Sequence, residues 1–82
     1  MDWAASPERE AQNTELREKL FEGLDRLESD LKAAVVLRDV QGLSNSEVAE
    51  TLDISVPALK SRLHRARVLL RKFLSDYVAA AG

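Results

Sequence analysis

The most constraining feature of this sequence is a one-sided apolar stripe near its C-terminal end. At ~100° per residue, Leu59, Leu63, Ala66, Leu70, Phe73 and Leu74 fall within about 100° of arc on a helix. The opposite side carries Pro57, Ser61, His64, Arg65, Val68 and Lys72, and Lys60, Arg62, Arg67 and Arg71 flank it. A helix built this way must lay its stripe on a core supplied by the rest of the chain. With 82 residues there is room for one such domain and not two. Trp3, Phe21, Phe73 and Tyr77 are the only aromatic residues, so aliphatic side chains must fill that core.

Three more helices are expected upstream. Leu16, Leu20, Leu24 and Leu27 recur at i, i+4, i+8 and i+11, which predicts helix one at about residues 8–28 with those leucines in the core rather than in a dimer seam. Pro7 and Glu8 suit its first turn. Gly23 lies inside it, at a cost of ~1 kcal/mol relative to Ala. Ser29 is the expected cap of helix two, residues 30–41, whose inner face is Leu31, Ala34, Leu37 and Val40, widened by Val35 and Val36. Gly42 stops it, because glycine tolerates the left-handed conformation. Ser44 and Glu47 have capping-box spacing and open helix three, residues 45–52, with Val48, Ala49 and Leu52 facing inward. Asp53 lies in the turn. Helix four starts at Ser55 or Val56 and runs to about Val78. Pro57 disfavours helical geometry at Val56, which makes Val56 a candidate cap. Residues 1–5 show no periodicity and read as a disordered end or linker remnant. Residues 1–13 are thus a linker or helix start, 14–78 the domain, and 79–82 a frayed tail. No segment alternates with period two for long, so the class is all-α: a four-helix bundle with short connections.

Helices three and four, joined by a short turn, have the spacing of a helix-turn-helix. Ala49 is the small residue needed where the two helices cross, and Val48, Leu52, Ile54 and Leu59 bracket the turn. The second helix of such a motif enters the major groove by its N-terminal turns, where Arg and Lys bond guanine edges or phosphates and Ser and His add polar contacts. The net charge of −2 conceals a polarity that fits this use. Residues 1–53 hold six Lys/Arg and thirteen Asp/Glu, a balance of −7. Residues 54–82 hold six Lys/Arg and one acid, Asp76, a balance of +5. No acid lies between Lys60 and Lys72. Such a segment attracts polyanions locally while the remaining surface repels them.

Other chemistries lack their residues. Without cysteine there is no disulfide and no thiolate metal site. His64 is the only histidine and has no partner at ligand spacing, so neither a metal nor a cofactor is expected. Ser55 reads as a cap rather than a nucleophile, since no base stands beside it. No paired acid and base suggests an enzyme. No apolar run reaches the ~20 residues of a membrane span, and residues 1–12 lack the features of a secretory signal, so a cytoplasmic location follows by default.

The run AVVLRDVQGLS at residues 34–44, followed by Glu47-Val48-Ala49, resembles region 4 of sigma-70-type factors. The run ISVPALKSRLHRAR at residues 54–67 is especially similar to the extracytoplasmic-function (ECF) group. The resemblance covers roughly residues 15–75. It implies a sigma region 4 fold of winged-helix-like type with no sheet, and contacts with the promoter −35 element and with the flap of the RNA polymerase β subunit. Onto matching positions it carries DNA contacts for Lys60, Ser61, Arg62, His64 and Arg65, with Arg67 as a phosphate candidate. It also implies an anti-sigma factor that covers the domain. Pro57 and Asp53 depart from the small residue and glycine usual there, which bears on the start of helix four and on base preference. A whole sigma factor also needs a region that melts the −10 element. These 82 residues have no room for one, so a fragment of a longer protein is expected. Two alternatives stand beside this reading. The stretch GLSNSEVAETLDIS also suits the effector domain of a LuxR-type response regulator, though that family continues into a different recognition helix. A protein-interaction bundle without DNA affinity is the other.

Overall fold

In the computed structural model the backbone is described for residues 7–81 and the side chains for residues 14–80. The expected linker at residues 1–5 lies outside them, as does Gly82. Pro7 stands at the first helical position of α1 (Pro7–Asp25), where its missing N–H forfeits no bond. The helix ends three residues before the expected boundary. Tight bonds from Arg26 N–H to the Gly23 carbonyl (3.1 Å) and from Leu27 N–H to the Leu24 carbonyl (3.1 Å) turn the chain.

Helix α2 (Ser29–Val35) begins one residue earlier than expected. Glu28, in extended geometry, is its cap and makes no side-chain capping bond, so Ser29 is inside the helix and does not cap it. Asp30 Oδ1 instead accepts from the Leu31 N–H at 2.9 Å. The helix then widens into a π turn, Val36–Val40, closed by Gln41 N–H on the Val36 carbonyl at 2.9 Å. Leu43 N–H reaches back to the Leu37 carbonyl at 3.1 Å around Gly42, whose φ of 78° is the expected left-handed stop. A π turn advances less angle per residue than an α turn. Val40 therefore misses the inner face predicted for it and is 48% exposed.

Helix α3 (Asn45–Leu52) matches its predicted bounds. Both arms of the capping box form: Ser44 Oγ accepts from the Glu47 N–H at 3.1 Å, and Glu47 Oε1 accepts from the Ser44 N–H at 3.0 Å. Asp53 takes the left-handed conformation (φ 55°, ψ 48°) that closes the turn. Ser55 Oγ then accepts from the Ala58 N–H at 3.2 Å, so Ser55 caps α4 (Val56–Ala81) and Val56 is the first helical residue rather than the cap. Helix α4 continues past Val78 through Ala81, where a frayed tail was expected. Its 26 residues give roughly 39 Å at 1.5 Å per residue, close to the 42 Å long axis of the molecule.

All four helices contribute to one core. Leu24 comes from α1, Leu31, Ala34 and Val35 from α2, Val48 and Ala49 from α3, and Leu59, Leu63, Ala66 and Leu70 from α4. The stripe of α4 is thus buried as predicted, with Phe73 and Leu74 half-buried at its far end. The α1 leucines divide. Leu24 is buried, Leu20 and Leu27 pack at the margin, and Leu16 is 50% exposed and outside the core. Along that margin α1 meets the C-terminal half of α4: the Tyr77 hydroxyl donates to Glu15, and Lys19 lies over the Tyr77 ring. The hydrogen bond to Glu15 raises the Tyr77 pKa. Among the described residues the class is all-α, with no strand.

Candidate nucleic-acid interface

The buried stripe of α4 fixes where its polar residues point. With Leu59, Leu63 and Ala66 against the core, Lys60, Ser61, His64 and Arg65 are exposed and Arg62 is half-buried. The left-handed Asp53 and the Ser55 cap start α4 directly after α3, the arrangement in which the N-terminal turns of a second helix dock in a groove.

The expected site residues do not share one surface. Lys60, His64 and Arg67 line a cleft of about 410 Å³ together with Arg71, Val68, Leu63, and Arg38 and Asn45 from outside α4. Arg65 lies on the other flank. With His64, Val68 and Leu69 of α4 it lines a cleft of about 560 Å³ against Arg26, Leu27, Glu28 and Leu31. His64 sits on the ridge between the two clefts. The first cleft is cationic. The second is largely apolar, and its wall includes Val68 and Leu69, which are 44% and 50% exposed.

The sequence reading missed three residues of the first cleft and its edge. Arg38 Nε donates to Asn45 Oδ1 at 2.8 Å, joining the π turn to the start of α3. Asp39, the next residue, accepts two bonds from Arg67: Nε to Oδ2 at 3.0 Å and Nη2 to Oδ1 at 2.7 Å. The hydrogen bonds that Arg67 donates to Asp39 raise the Arg67 pKa. Arg38 and Asp39 lay within the run that carries the family resemblance, but their spacing along the chain gave no sign of these partners. Only the crossing of the π turn and α4 brings positions 28 residues apart together. Among the described residues no helix is long and apolar enough to cross a membrane.

A capped helix-turn-helix whose second helix carries six cations and no acid between positions 60 and 72 defines a class of duplex-DNA-binding modules. Within that class, the family model described as "Sigma-70, region 4" matches residues 17–70, and the chain belongs to this family. It is 38% identical over 65 residues to the ECF RNA polymerase sigma-E factor of Haemophilus influenzae, covering 79% of this chain and 34% of that protein. It is 38% identical over 72 residues to the ECF RNA polymerase sigma factor SigE of Mycolicibacterium smegmatis, covering 88% of this chain and 28% of that protein. The sigma-E factor of Escherichia coli K12 matches at 38% over 63 residues, covering 77% of this chain and 33% of that protein. The chain spans about a third of the length of these relatives. All three are sigma factors, and none is a response regulator of the LuxR type.

Proposed function

We propose that this chain is the part of an ECF sigma factor that binds the promoter −35 element as duplex DNA, with the first turns of α4 in the major groove. The observation that carries this reading is the outer face of α4, which exposes Lys60, Arg65, Arg71 and Lys72 beside a half-buried Arg62, with no acid between positions 60 and 72, directly after a capped turn. Ser61, His64 and Arg65 are the base-facing residues. Lys60 and Arg62 flank them and meet phosphate or guanine edges. Arg38, which borders the cationic cleft from the π turn, joins the phosphate contacts, whereas Arg67, which lines the same cleft, is paired with Asp39. The domain proper is residues 14–78.

The apolar cleft behind Arg65 suits a protein rather than a nucleic acid, because Leu27, Leu31, Val68 and Leu69 offer nothing to phosphate. We assign protein partners to this side: the β flap of RNA polymerase, and an anti-sigma factor that holds the protein inactive. The chain does no chemistry of its own and works in the cytoplasm, where promoter DNA is. Selection from a pool of randomised duplexes by this chain tests the reading. Enrichment of one short motif is expected. A pool that stays random through successive rounds would leave a protein-interaction bundle in its place.

A further inference from the structure

We infer that Asp39 is a positioning residue that withholds Arg67 from DNA phosphate, so that one cation of the recognition helix is absent from the backbone contacts. The inference rests on the DNA reading proposed above. Its structural ground is the two-pronged bond between the Asp39 carboxylate and the Arg67 guanidinium, at 2.7 and 3.0 Å. A guanidinium held this way already has its planar fork matched to a carboxylate, which is the geometry it would need for a phosphate. The pair is also the only salt bridge from α4 among the described residues.

The π turn makes the arrangement possible. It ties the Arg38 side chain to Asn45 and lets the next residue, Asp39, reach α4. Of two neighbouring residues, one thus leaves a cation beside the cleft and the other neutralises a cation that lines it. Both members of the pair stay partly open to solvent, with side-chain exposures of 46% for Arg67 and 37% for Asp39. A freed Arg67 would therefore have access to a phosphate without rearrangement of the core. Asp39 acts through Arg67 and touches no base.

The test uses the salt dependence of binding, which counts neutralised phosphates at a log–log slope of about −0.9 each. Affinity for one random-sequence duplex is measured across a salt series for the native chain, Asp39→Asn, Arg67→Gln, the double variant and Asp39→Glu. Arg67→Gln keeps the packed stem of the side chain while removing its charge. Circular dichroism melts show that each variant is folded, and Asp39→Ser replaces Asp39→Asn should the latter fail to fold. Asp39→Asn is expected to steepen the slope by about 0.9, because one further phosphate contact forms. Arg67→Gln alone should leave the native slope unchanged, the double variant should restore it, and Asp39→Glu should keep it. Three results would overturn the inference: no change in Asp39→Asn, a flatter slope in Arg67→Gln alone, or a steepening that survives in the double variant. The last would mean that Asp39 merely repels DNA at a distance. A native chain with no salt-dependent affinity is a different failure, since it removes the DNA reading and this inference with it.

Discussion

Leu63 is the residue on which the orientation of α4 depends. It is 3% exposed, midway along the buried stripe, with Lys60 and His64 on the side that faces the cationic cleft. Leu63→Ala should destabilise the domain by about 2–5 kcal/mol, through lost burial and the cavity left behind. Calorimetric melting checks this, and an unchanged midpoint would mean that the helix is rotated from the phase described. Glu47 gives a pH-dependent handle. Its bond from the Ser44 backbone N–H holds its carboxyl below the ordinary 4.5. A folded pKa below the unfolded one means that the charged cap stabilises above about pH 4.5 and loses that effect as the pH falls through the folded value. Glu47→Gln can still accept the bond but carries no charge. Its melting temperature should therefore fall less than the native chain's between neutral pH and pH 3, as a pH series of thermal melts would show. Equal pH dependence of the two would remove Glu47 from the acid response. The Ser44–Glu47 box was legible because its partners are three residues apart and need no tertiary context.

At the scale of the helix, Gly23 changes meaning between sequence and structure. The sequence shows a residue that weakens α1. The fold shows why it is there: a Cβ at Gly23 would stand 2.8 Å from Phe73 Cδ2 and 3.1 Å from Leu70 Cδ2, so α1 crosses α4 where only a backbone fits. Gly23→Ala gains about 1 kcal/mol of helix propensity but suffers roughly 1–3 kcal/mol of overpacking, leaving an expected net loss of about 1 kcal/mol. Urea unfolding would measure it, and a more stable variant would contradict the close crossing. The same distinction explains which boundaries were legible. Helix α3 was predicted to the residue because a capping box begins it and a left-handed Asp53 ends it. The end of α1, the Ser29 cap and the π turn were not, because each is set by where the chain must go next rather than by local preference. Leu16 has the periodicity of a core residue but is half exposed, because α1 extends along the outer part of α4 beyond the reach of the core.

Across the whole molecule, charge segregation does what no single residue does. Residues 1–53 balance at −7 and residues 54–82 at +5, so α4 is the side by which the molecule attracts a polyanion. With four to six cations meeting phosphate, the log–log slope of DNA affinity against salt should be about −4 to −5. Fluorescence anisotropy over a salt titration measures it, and a slope near zero would contradict the electrostatic reading. This polarity was fully legible in the sequence. The partition of the cations between two clefts, and the engagement of Arg67 by Asp39, were not, because both depend on how α4 crosses the π turn.

In the function proposed for α4, its first turns read bases while its later cations only attract the backbone. Arg65 and Lys72 separate these roles: both are exposed, and Lys72 lies seven residues further along, roughly 10 Å at 1.5 Å per residue. The deciding measurement is the affinity of the native chain, Arg65→Ala and Lys72→Ala for the selected duplex and for a random duplex, at one fixed salt concentration. Arg65→Ala should cost about 1–3 kcal/mol on the selected duplex and much less on the random one, while Lys72→Ala should weaken both slightly and equally. If Arg65→Ala lowered affinity for the two duplexes by the same factor, the base-reading role of this helix face would be wrong.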